Sequence, residues 1–160
     1  MKQYIFKYGI IAGLSVIAYT WLLYYITKQT LFTPTYYVSS LIFYVVCMYL
    51  AANKVKTADF KGVLKTAFAV FLIANCMYYI FDFILYNYID TSLATGQADA
   101  AIAYMRSNPN PDFGEQIKIE DNIRNNDIHN ISTLSYLLIR SAIGGFGLSV
   151  VITYLIKRKL

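Results

Sequence analysis

The chain has 160 residues, 58% of them hydrophobic and 14% charged, with a mean hydropathy of +0.45. A soluble domain carries about a quarter charged residues, so this composition excludes an ordinary soluble domain and points to an integral membrane protein. The net charge of +5 comes from basic residues at the ends of apolar runs. Such residues set topology and attract anionic lipid headgroups, which argues against a nucleic-acid-binding surface.

A helix needs about 20 apolar residues to cross a bilayer core. No residue between Lys7 and Lys28 is charged, which predicts a first span over residues 8–27. Its apolar region exceeds the roughly 7–15 residues of a secretory signal, and residues 27–29 offer no small-residue cleavage site, so the segment is read as a retained helix. Gly9 and Gly13 form a GxxxG within it, a pattern that lets helix backbones approach closely in lipid. Thr33-Pro34-Thr35 predicts the first turn, with Pro34 ending regular helix. The second span follows over residues 36–53.

The next connection carries Lys54, Lys56, Lys61 and Lys65 and is short enough to make the second and third spans antiparallel neighbours. Asp59 is placed to cap the third helix, whose membrane portion is predicted over residues 64–89. A long connection, 90–131, comes next. Ala98, Ala101, Ile102 and Met105 recur at helical spacing and predict an amphipathic helix over residues 93–106, broken by Asn108-Pro109-Asn110-Pro111. Ile117, Ile119, Ile123, Ile128 and Ile131 predict a second, less regular segment. This connection is read either as a lid on the helix ends or as a surface for a ligand or partner. The fourth span, 132–156, carries Ser141, Gly145 and Ser149 as a small-xxx-small series, with Gly144 and Gly147 beside it. The expected fold is all-α, a four-transmembrane-helix bundle forming one integral domain. Tyr4 and Tyr8 at one rim, and Trp21, Tyr24, Tyr25, Tyr36, Tyr37, Tyr86, Tyr88 and Tyr136 at the other, read as aromatic belts.

Nine basic residues fall on one side of the membrane: Lys2, Lys7, Lys54, Lys56, Lys61, Lys65, Lys157, Arg158 and Lys159. The other side has Lys28, Arg106, Lys118 and Arg124, and its long connection carries seven acids, for a net charge of −4. The positive-inside rule then places both termini in the cytoplasm. The expected partners are the lipid bilayer, anionic lipid headgroups at the cytoplasmic face, and a membrane-protein partner or further copies of the chain.

Two charges interrupt the apolar runs, Asp82 in the third span and Arg140 in the fourth. Intramembrane charges are costly and mark functional sites by default. Asp82 lies 17 residues beyond Lys65, and Arg140 lies 17 residues before Lys157. Both therefore stand about 25 Å from the cytoplasmic lysines, a matched depth that predicts an ion pair. Asn75, Tyr79, Asp82 and Tyr86 share one face of the third helix. Arg140 shares a face with Thr133, Tyr136, Gly144 and Gly147. Two readings of the pair stand: a structural clasp that fixes helix register, or the lining of a path for a proton, ion or small polar solute, as in a transporter or channel component.

Catalytic groupings are sparse. His129 is the single histidine, and the nearby Ser132 and Ser135 lack a third member of a hydrolase set. Cys47 and Cys76 form no CxxC pair and read as apolar packing residues. No glycine-rich phosphate loop is present, so no cofactor, metal or enzyme activity is expected. Asn130-Ile131-Ser132 is a formal glycosylation sequon.

Three stretches also carry a resemblance: Lys7-Tyr8-Gly9-Ile10-Ile11-Ala12-Gly13-Leu14 opening the first span, Asp59-Phe60-Lys61-Gly62-Val63-Leu64-Lys65-Thr66-Ala67-Phe68 entering the third, and Tyr86-Asn87-Tyr88-Ile89-Asp90 leaving it. With the acidic connection, the glycine-bearing last span and the basic tail, the chain resembles a bacterial four-span family known as domain of unknown function 4199. The resemblance covers essentially the whole chain and implies a multi-pass protein of the bacterial inner membrane. It assigns no functional residues.

Overall fold

Asp59 shows how locally the helix boundaries are set. Its Oδ1 accepts the Gly62 backbone N–H at 2.9 Å, satisfying one of the donors that a helix start leaves without an intrahelical acceptor. The helix therefore begins at Phe60, ahead of the apolar run itself. A computed structural model describes residues 2–26, 34–107 and 131–158. Its elements are α1 (Lys2–Ile26), α2 (Pro34–Asn53), α3 (Phe60–Ile84) continuing into a π-turn (Leu85–Ile89), α4 (Ser92–Ser107) and α5 (Ile131–Arg158). Among the described residues there is no strand.

The long helices overrun the predicted apolar spans, because polar and basic residues continue the helix past the apolar stretch. Pro34 is a correction. It opens α2 instead of only breaking helix, since its missing N–H costs nothing in a first turn. The predicted amphipathic helix at 93–106 is present as α4, one residue longer at each end. Its start is organised by Asp90, whose Oδ1 accepts from the Ser92 backbone N–H at 3.1 Å and the Ser92 hydroxyl at 2.5 Å. The Ile117–Ile128 pattern, His129 and the Asn130 of the sequon lie outside the described residues.

Helix α3 is the centre of the assembly. It packs on α1, α2 and α5; α2 also touches α1 and α5, while α1 and α5 do not meet. The four long helices thus form a diamond in section, with α2 and α3 on its short diagonal. The half of the bundle nearest the α2–α3 turn has an apolar core including Ala12, Met48, Ala51, Val63, Ala67 and Ile152. Several of these are small, and glycines bring the backbones closer still. A Cβ built at Gly9 would lie 2.9 Å from Ile73, and one at Gly13 2.7 Å from the Met77 sulfur, so α1 meets α3 through glycine.

A clasp does form, at the other end of the bundle, among the basic residues of the α2–α3 turn and the end of α5. Lys157 Nζ, on the last turn of α5, donates to the carbonyls of Lys56 (2.9 Å) and Ala58 (2.5 Å). A cation thus satisfies carbonyls of the α2–α3 turn and ties it to the chain's last helix.

Three of these helices, α1, α3 with its π-turn, and α5, are long and apolar enough to cross a membrane. Residues 38–53 of α2 form a shorter apolar helix. Large apolar side chains also face outward along the bundle, among them Leu14, Leu22, Ile42, Ile80 and Ile143.

Candidate functional site

Buried hydroxyls divide the bundle into two layers. Near the α2–α3 turn, Thr66, Ser149 and Thr153 are fully buried, and each bonds its own helix: Thr66 Oγ1 donates to Gly62 O (2.9 Å), Ser149 Oγ to Gly145 O (2.6 Å) and Thr153 Oγ1 to Ser149 O (2.7 Å). Such back-bonding satisfies the hydroxyl without linking helices.

In the half nearer α4 the hydroxyls link helices instead. Thr20 Oγ1 of α1 shares a 2.6 Å hydrogen bond with Tyr36 OH of α2, and Tyr36 OH lies 3.4 Å from Tyr78 OH of α3. Thr20 Oγ1 also donates to Val16 O at 2.8 Å, which closes the chain of hydroxyls on a backbone carbonyl. Beside it, Tyr19 OH and Ser39 Oγ are 2.7 Å apart. On the other flank of α3, Asn75 Nδ2 donates to Ser141 Oγ of α5 at 2.6 Å. At the rim, Tyr24 OH donates to Asp90 Oδ2 at 3.1 Å.

Asp82 belongs to this layer. Its residue is 9% exposed, and it is close enough to Tyr36 and Tyr79 to act electrostatically on both hydroxyls. Among the described residues every buried side-chain nitrogen or oxygen has a hydrogen-bond partner. That is the condition under which buried polar groups are tolerated in an apolar interior.

The expected face of α3 turns inward: Asn75, Asp82 and Tyr86 are buried and Tyr79 is half-buried. The expected face of α5 turns outward. Arg140 is exposed, Tyr136 is 63% exposed, and no atom lies within 4 Å of a Cβ built at Gly144 or Gly147. These two glycines therefore pack against no other helix among the described residues. Gly145 and Ser149 do face the bundle, and a Cβ at Gly145 would overlap the Phe71 ring.

The Asp82–Arg140 clasp is accordingly corrected. No ion pair joins the two residues. At about 100° per residue, Arg140 lies roughly 140° around α5 from Gly145 and opposite Ser149, the residues that meet the bundle. Side chains also tilt toward the N-terminus of their own helix. On antiparallel helices that tilt carries Asp82 toward the α2–α3 turn and Arg140 away from it, so equal Cα depth separates the charged groups.

Thr20, Tyr36, Tyr78 and Ser141 complete the polar layer. From sequence, Tyr36 reads as part of an aromatic belt and Ser141 as part of a packing series, while Thr20 and Tyr78 carry no distinguishing signal. One threonine or serine in an apolar run carries no periodic signal of its own.

A protein family described as "Protein of unknown function (DUF4199)" matches residues 7–158. No curated protein and no solved structure matches the chain.

Proposed function

The chain belongs to the DUF4199 family, and we propose that it is a multi-pass protein of the bacterial inner membrane that acts as an accessory or scaffold subunit without chemistry of its own. In this reading α1, α2, α3 and α5 cross the bilayer, both termini and the α2–α3 turn lie in the cytoplasm, and α4 rests at the opposite surface. Helices of 25, 20, 25 and 28 residues are about 30–42 Å long, enough to cross a core of about 30 Å. Anionic headgroups meet the basic cytoplasmic rim.

The observation that carries the scaffold reading is where the hydroxyl chain stops. It ends on the Val16 carbonyl, and the core continuing toward the α2–α3 turn is mostly apolar, with the Thr66, Ser149 and Thr153 hydroxyls spent on their own helices. A solute or proton path needs polar groups from face to face, and this core supplies them over one half only. Copurification from native membranes in mild detergent tests the role. A stable heteromeric complex is expected, and a chain recovered only as a lone monomer would contradict it.

A second reading makes the chain part of a small transporter or channel. It draws on the burial of Asp82 beside hydroxyls that bridge three helices, with the Tyr79 hydroxyl within electrostatic reach of both Asp82 and Arg140. Solute flux in reconstituted vesicles, abolished by Asp82→Asn, would establish it in place of the scaffold.

A further inference from the structure

Arg140 holds a full positive charge on the outward face of α5. Its exposed neighbours include Ile139 and Ile143, 66% and 74% exposed. Its guanidinium makes no hydrogen bond or ion pair among the described residues. In hydrocarbon, an arginine at the centre of a helix is costly, and the cost falls when the side chain reaches an interface. The geometry of α5 lets it do so. With Lys157 at one boundary, a core of about 30 Å spans roughly 20 residues of helix, placing the other boundary near residue 137. Arg140 Cα then lies about 5 Å inside that boundary. The side chain tilts toward the helix N-terminus, which is the same boundary. An extended arginine covers that distance.

We propose that Arg140 binds the phosphodiester of a phospholipid in the leaflet on the α4 side, with the lipid's acyl chain lying along the open backbone at Gly144 and Gly147. The proposal rests on the membrane-spanning reading. Phosphate fits the guanidinium fork through paired charge-assisted hydrogen bonds. Tyr136 stands one turn nearer the surface on the same exposed face, where its hydroxyl can join the headgroup. The two glycines lie one and two turns deeper, with nothing within 4 Å of a built Cβ, and leave a shallow channel running inward from the charge. A second copy does not supply the missing anion. A two-fold axis along the membrane normal that paired these faces would set two Arg140 side chains at one depth and make them repel.

The test uses the full chain and three variants, Arg140→Gln, Arg140→Lys and Gly144→Leu. Each is reconstituted with vesicles of phosphatidylethanolamine and phosphatidylglycerol, then returned to detergent, and the phospholipid retained per chain is counted by native mass spectrometry across a lipid titration. Arg140→Gln is expected to weaken retention about tenfold, the scale of a lost charged hydrogen bond. Arg140→Lys keeps most of it, because lysine still binds phosphate as a point charge. Gly144→Leu weakens it by filling the channel, with its thermal melt no lower than that of the wild-type chain, since the added side chain meets nothing in the fold. Retention in Arg140→Gln equal to wild type overturns the proposal. So does loss of a copurifying protein from that variant with lipid unchanged, which would assign Arg140 to a carboxylate on a partner helix. Carbonate extraction separates the two levels: a wild-type chain that washes out of membranes overturns the membrane reading and the site together. One that stays in while Arg140→Gln binds lipid normally overturns the site alone.

Discussion

Gly144 and Gly145 are neighbours in sequence with opposite surroundings, and replacing each by leucine tests the packing of α5 directly. At Gly145 the new Cβ would overlap the Phe71 ring. That ring is buried and packs on Tyr44, with centroids 5.3 Å apart, so it has little room to retreat. Overpacking a filled core costs about 1–3 kcal/mol, and a side chain as large as leucine falls at the upper end. Leucine regains nearly 1 kcal/mol of helix propensity over glycine, which leaves Gly145→Leu destabilised by about 2 kcal/mol. At Gly144 the propensity gain stands alone, for a stabilisation of up to about 1 kcal/mol. The two variants should therefore differ by about 3 kcal/mol, read as reversible unfolding in mixed micelles by circular dichroism. Adding Phe71→Ala should couple to Gly145→Leu by more than 1 kcal/mol and leave Gly144→Leu unchanged. Equal shifts for the two glycines would refute this orientation of α5.

A double-mutant cycle on Asp82→Asn and Arg140→Gln should give a coupling below about 0.5 kcal/mol, and the charge swap should rescue nothing, because the groups do not pair; a coupling of 2 kcal/mol would restore the ion pair. Asp59→Ala should cost about 1 kcal/mol through loss of the α3 cap, with Asp59→Ser recovering most of it in the same unfolding assay. Asn75→Ala removes the hydrogen bond to Ser141 and should weaken α3–α5 association by about 0.6 kcal/mol, the average for polar contacts between membrane helices. No loss beyond that of a neighbouring exposed alanine substitution would count against the bond.

The helices were legible in the sequence because charge-free runs and helical spacing report on the local chain. Residues 93–106 announced α4 through four apolar positions, and Asp59 announced the start of α3 through its cap. Helical spacing puts Asn75, Tyr79, Asp82 and Tyr86 on one face of α3. The Asp82–Arg140 pair failed for a geometric reason. Counting residues from the lysines gives depth along the axis, but pairing also depends on which way each face turns, and the apolar residues of α5 run nearly all the way round. In a helix fit for lipid, hydrophobicity does not say which side meets protein; the small-residue series Ser141, Gly145 and Ser149 is the sequence signal for the packing side of α5, and Gly145 against Phe71 settles it. The Lys157 clasp was hidden because its acceptors are backbone carbonyls, which every sequence possesses.

Labelling of single cysteines by a membrane-impermeant thiol reagent in intact cells reads the membrane topology itself. With Cys47 and Cys76 replaced by alanine, Thr57→Cys in the α2–α3 turn and Thr95→Cys on α4 report the two faces; both positions are exposed. Thr95→Cys is expected to label in intact cells, and Thr57→Cys only after the membrane is opened. Labelling of both positions in intact cells, or of Thr57→Cys alone, would contradict that topology.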